Sequence, residues 1–266
     1  MHGVLDFPWL VFVLAFLALW SATWAGVSLR RNKRLPEGGI REDFNTILVS
    51  TLTLNGLIIG FSFSMAINRY DQRKIYEEAE ANAIGTEYVR ADLLPGDDAA
   101  TVRSLLRSYL DQRILFYRSR DVRELRVINA RTAQLQADMW AAVRDPGVAQ
   151  QTPIIALTVA GMNDVLNSQG YTQAAWWNRI PAGAWVLMAV IAMVGNLMVG
   201  YGAEKIIGGS ILLLVLPFVF SVCFMLIADI DSPRGGLIRV IPQNLVSLAA
   251  SLRAPPRMAA PASSAQ

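Results

Sequence analysis

The sequence predicts an all-α polytopic membrane protein with four transmembrane helices and a helical soluble insert between the second and third. Three observations predict it. Apolar runs at Pro8–Leu29, Phe44–Ile67, Trp185–Val199 and Ile206–Ile230 approach or exceed the roughly 20 residues that carry a helix across hydrocarbon. A polar stretch of about one hundred residues between the second and third runs repeats apolar positions at helical spacing, and no period-two segment suggests a strand. Hydrophobic residues make up 53% of the chain but are gathered into those few runs, the signature of a membrane protein with one polar insert.

The first run follows Pro8, and its start carries Asp6 and no Lys or Arg, unlike a cleaved signal peptide. Trp9, Trp20 and Trp24 are expected either as interfacial anchors or packed between helices. A charged turn, Arg30 to Gly39, follows, and Asp43 is the expected N-cap of the second helix. From Phe44 that helix passes without proline or paired glycines into the charged stretch ending at Pro95, so one helix about twice the membrane thickness is predicted. Asn68, Arg69 and Tyr70 mark its exit from lipid.

In the insert, Pro95–Gly96 ends the long helix and Asp97 or Asp98 caps the next, whose Val102, Leu105, Leu106, Tyr109 and Leu110 form one face. A further helix starts near Asp121 and stops at Pro146–Gly147, and the last starts at Pro153. Charges balance here, so Arg73–Glu77 and Lys74–Glu78 read as ion pairs on a solvated face. The chain re-enters the membrane after Trp176 and Trp177, turns at Gly200–Lys205 and returns through a span containing Pro217. The expected organisation is 1–67, a first transmembrane pair; 68–179, the insert; 180–231, a transmembrane hairpin; and 232–266, a linker and disordered tail.

Several classes of chemistry are excluded. Net charge is +3 with no basic patch interleaved with aromatics, so nucleic acid is not an expected partner. The only histidine, His2, lies near the start of the chain and the only cysteine, Cys223, in an apolar run. No metal spacing, phosphate-binding loop, cofactor motif or catalytic constellation is present, and the chain is not expected to be an enzyme. A membrane enzyme would have to use the carboxylates Glu77, Glu78, Glu80 and Glu87. Gly56, Gly60 and Ser64 form a small-xxx-small ladder suited to close helix packing. Asn55 and Asn196 are polar at membrane depth and are expected to bond to each other, act as packing glue or line water. Asp229 and Asp231 either reach the interface or are functional.

Orientation follows from Lys and Arg near the span ends. Arg30, Arg31, Lys33, Arg34 and Arg41 favour a cytoplasmic first loop, whereas Arg69, Arg73, Lys74, Arg179, Arg234 and Arg239 favour a cytoplasmic insert and tail, opposed only by Lys205. Four spans cannot satisfy both, and the count tips toward a cytoplasmic insert.

The run Leu57–Ile58–Ile59–Gly60–Phe61, continuing to Asn68–Arg69–Tyr70, resembles the end of the second span of bestrophin anion channels, where the Phe of a Gly-Phe pair stands eight residues before an Arg. Leu35–Pro36–Glu37, the long helix ending at Leu94–Pro95, and Asp231–Ser232–Pro233–Arg234–Gly235–Gly236–Leu237–Ile238–Arg239–Val240 are similar to a bacterial membrane family carrying a bestrophin-like domain. The resemblance implies a homo-oligomeric ion channel, a pentamer in the bacterial inner membrane with a cytoplasmic helical vestibule, passing inorganic ions. It also implies that Thr53, Leu57 and Phe61, at i, i+4 and i+8, line a neck. Two departures stand beside the likeness: Tyr70–Asp71 replaces an aromatic pair, and the acidic calcium-binding run after the last span is unmatched. The alternative is a membrane scaffold or signalling protein whose insert binds a partner and which transports nothing.

Overall fold

The computed structural model describes residues 3–32, 39–203 and 211–253. Leu35–Pro36–Glu37, the turn residues Glu204 and Lys205, and the tail from Ala254 lie outside those residues, as does His2. Among the described residues there is no strand. The α-helices are α1 (Pro8–Asn32), α2 (Gly39–Arg90), α3 (Gly96–Arg118), α4 (Val122–Ala149), α5 (Pro153–Trp177), α6 (Ala182–Gly202), α7 (Ile211–Asp231) and α8 (Gln243–Arg253). Four helical stretches, Pro8–Arg30, Ile40–Leu93, Pro153–Gly202 and Ile211–Asp231, are long and apolar enough to cross a membrane. The chain forms two compact units, residues 1–73 with 175–240, and residues 74–174 with 241–266.

In the first unit the core is apolar: Val11 and Leu19 of α1, Ala66 of α2, Met188 and Ala192 of α6, and Phe220, Phe224 and Ile227 of α7. α1 and α6 approach to backbone contact, because a Cβ at Gly26 would overlap the carbonyl oxygen of Leu197 and one at Gly200 that of Thr23. Such close approach is how helices associate where lipid removes the hydrophobic drive between them. Arg30 closes the end of α6 by donating to the carbonyls of Tyr201 and Gly202 at 3.2 and 2.8 Å. Trp9, Trp20 and Trp24 are exposed, so of the two readings the one packing them between this chain's helices is set aside.

The second unit is built on α3, α4 and α5, the distal part of α2, and α8. The α3 face read from spacing is the one that is buried, with Val102, Leu106, Tyr109 and Leu110 against Ile128, Leu135 and Met139 from α4 in the unit's core. Asp121 caps α4, its carboxylate accepting the amide of Arg123 at 2.8 Å.

Other boundaries correct the sequence reading. α2 begins at Gly39, so Asp43 lies inside its first turns. Pro95 is the N-cap position of α3, and Asp97 and Asp98 occupy the first turn, where carboxylates favour the helix dipole without side-chain capping bonds. α4 runs through Pro146 to Ala149, since Pro146 still offers its carbonyl to the amide of Gln150. Arg73 and Glu77 do not pair on a solvated face: both are buried and bond elsewhere. α8 lies within the stretch read as linker and tail.

Candidate functional site

α2 supplies residues to both units, and its two sides differ along its whole length. Asn55, Ser62, Ala66, Arg73, Glu77, Glu80, Ile84 and Glu87, with Ala91 just past the end of α2, are all buried, at steps of three, four or seven residues, which makes one stripe on one face. Thr53, Leu57 and Phe61 lie elsewhere on the helix and are exposed, Leu57 and Phe61 to 54% and 65%. Gly56 and Gly60 have open space where a Cβ would stand, and Ser64 is exposed. Among the described residues, then, nothing packs on the glycines of the small ladder, and Gly26 and Gly200 serve close helix approach instead.

At membrane depth the two asparagines part company. Asn196 is held by its own helix and by α1, donating to the Ala192 carbonyl at 2.8 Å and accepting from the Thr23 hydroxyl at 3.4 Å. Asn55 is fully buried, and neither polar atom of its side chain makes a hydrogen bond among the described residues. Among the described residues the two asparagines do not bond to each other, and Asn196 bonds instead to Ala192 and Thr23.

Around Asn68–Arg69–Tyr70, Asn68 is exposed and Arg69 donates to the Asn178 side chain at 3.1 Å. One turn on, Arg73 is buried and donates to four carbonyls, those of Ala175 (3.3 Å), Ile230 (3.2 Å), Asn178 (3.4 Å) and Asp231 (3.0 Å). Those carbonyls lie at or near the ends of α5 and α7, which otherwise leave acceptors unsatisfied and carry partial negative charge. The carboxylates after the last span are equally committed. Asp229 accepts the amides of Leu237 and Ile238 at 2.7 and 2.8 Å, and Asp231 accepts that of Ile180 at 3.1 Å. Asp6 pairs with Arg179 and accepts from Ser232. Asp229 and Asp231 are thus buried and structural, and the run DSPRGGLIRV folds back so that its Leu237 and Ile238 amides donate to the Asp229 carboxylate. Arg234 stacks on Trp176 at 4.2 Å.

In the second unit the carboxylates of the distal stripe divide. Glu77 accepts the amide of Leu245 at 3.0 Å and the side-chain amide of Asn244 at 2.7 Å, so it caps α8 from another helix. Glu80 and Arg113, both with fully buried side chains, form an ion pair, and Tyr117 and Thr172 donate to Glu80 at 3.3 and 3.2 Å. Burial and then the Glu80 charge push the Tyr109 and Tyr117 hydroxyls above their ordinary range. Burial pulls the Arg113 guanidinium down, but Glu80 outweighs it and the net direction is up. Glu87 is buried without a hydrogen bond among the described residues, while Glu78 is exposed. Of the four carboxylates named for an enzyme reading, Glu77 and Glu80 are committed to different partners and Glu78 faces outward. Among the described residues no group of three His, Cys, Asp or Glu is placed to hold a metal.

Sequence reasoning missed the Glu80–Arg113 pair, the α8 cap and the burial of Arg73. A signal was present: residues 73, 77, 80, 84, 87 and 91 recur at alternating steps of four and three, with Ile84 and Ala91 in the same register as the charges.

A bestrophin-like domain model matches residues 13–245. No curated protein sequence matches the chain. Crystal structures of a bacterial bestrophin homologue from Klebsiella pneumoniae share its fold. A tyrosine-to-alanine variant is 12% identical with a TM-score of 0.62, over 90% of this chain and 99% of that one. A tryptophan-to-alanine variant is 10% identical with a TM-score of 0.63, over 95% and 96%.

Proposed function

Because this chain belongs to the bestrophin-like family, we propose that it assembles as a homo-oligomeric, pentameric channel for inorganic ions. The membrane half of α2 surrounds the axis, and Thr53, Leu57 and Phe61 form the neck. The protein sits in the bacterial inner membrane with the insert and both termini in the cytoplasm. The observation that carries the reading is the exposure of α2. Only 11% of its apolar stretch is buried within the chain, against 22%, 22% and 33% for the other three candidate spans. A span so little used by its own chain has most of its surface left for an axis, lipid and copies of itself.

The chemistry of that surface supports the assignment. Gly56, Gly60 and Ser64 offer a shallow strip where another copy's helix can approach closely, beside the apolar stripe of Leu57 and Phe61. A ring of Leu57 and Phe61 side chains replaces none of an ion's hydration, so the neck gates by wetting and dewetting and carries no charge to select with. Single-particle imaging of the detergent-purified protein tests the assembly: the reading predicts a ring with α2 innermost, and a monomer, or a ring with α1 or α6 innermost, overturns it. Orientation is tested with Ser104→Cys on the exposed face of α3, in a Cys223→Ser background. Labelling by an impermeant reagent in cells with only the outer membrane opened contradicts a cytoplasmic insert.

A further inference from the structure

Glu87 is the one carboxylate of the buried α2 stripe whose oxygens both lack a hydrogen bond among the described residues. It stands about 28 Å of helix beyond Asn68, outside the membrane-spanning part of α2. Opposite it on α5 is Gly161, where a Cβ would overlap the Glu87 Oε2 atom, so the carboxyl is pressed against bare helix backbone. The seam around it is otherwise joined: Thr172 of α5 donates to Glu80, Thr158 donates to the Arg90 carbonyl at 3.3 Å, and Tyr76 stacks on Tyr171. The charged groups facing Glu87 are Arg90, about one turn along α2 and also against Gly161, and Asp164, one turn along α5.

We propose that Glu87 is a proton-dependent latch on the α2–α5 seam: protonated, it lets the helices pack at Gly161, and ionised, it loosens that packing so that the seam opens to water more often. An ionised carboxylate that accepts no hydrogen bond is costly in such a place, whereas a neutral carboxyl tolerates it. Burial pushes the Glu87 carboxyl up to about 8, with Arg90 opposing the rise and Asp164 adding to it. A carboxyl whose packed-state value is raised holds its proton while the open state loses it, so packing weakens as pH climbs from the ordinary value of 4.5 to about 8 and levels off above.

Hydrogen exchange of the full-length protein in detergent, followed across residues 157–165 from pH 5 to 9.5, tests the latch without reference to conduction. After correction for the chemical exchange rate, protection in the wild type should fall about tenfold per pH unit below pH 8 and then flatten. In Glu87→Gln it should stay level. A wild type without that slope, or a Gln variant that keeps it, overturns the proposal. Infrared spectra of the wild type give a second reading that needs no variant: a carboxylic-acid C=O band should vanish with a midpoint near pH 8, and its absence at pH 6 overturns the proposal as well.

Discussion

The two halves of α2 bury the same stripe of positions and fill it with opposite chemistry. Toward the membrane the stripe holds Asn55, Ser62 and Ala66, small or uncharged, while the exposed side carries Leu57 and Phe61. Farther along it holds Glu77, Glu80 and Glu87, while the exposed side mixes Asp71, Glu78 and Asn82 with Ile75 and Val89. Hydrophobicity along this helix therefore reports which solvent surrounds it, not which face is inside. In the distal half of α2 the order comes from directed bonds to charges, whereas the close backbone approach in the first unit is made by α1 and α6.

The sharpest way to break this contrast is Glu80→Leu, which strands the fully buried Arg113. The expected loss is about 3–5 kcal/mol in detergent unfolding of the second unit, with Glu80→Leu/Arg113→Leu recovering much of it. A single variant as stable as the wild type would show that the pair does not organise the unit. Next comes Gly200→Ala on α6 of the first unit. Its Cβ meets the backbone of Thr23, so about 1–3 kcal/mol should be lost, whereas Gly60→Ala, with open space around it, should leave unfolding of the separated chain unchanged. Equal effects would mean that α1 and α6 do not need the close approach. Smaller again is Glu77→Ala, which removes the cap of α8 and should cost about 0.5–2 kcal/mol, seen as faster amide exchange confined to α8.

Much of the fold was legible because helix length, apolar run and proline placement are local signals: Pro153 starts α5, Asp121 caps α4, and α2 runs unbroken through Asn68. The charged stripe was not. An apolar period identifies a buried face only when the buried residues are apolar, and Arg73 and Glu77, though buried, read as a solvated ion pair for that reason. The stripe's partners, Thr172, Arg113, Leu245 and the carbonyls after Ala175, are far away in sequence, so no spacing rule could find them. α8 was hidden because its buried face reduces to Leu245 and Ala249 and its cap comes from Glu77. Of the proposed neck, the helical register of Thr53, Leu57 and Phe61 was legible.

Ion flux in proteoliposomes tests the proposed neck most directly. Leu57→Ala and Phe61→Ala should each widen and wet the passage and raise conductance above the wild type. Phe63→Ala, about 160° from Phe61 and about 120° from Leu57 around the helix, should leave it at the wild-type level. Three variants that behave alike, or a protein that conducts in none of them, would contradict a channel lined by α2.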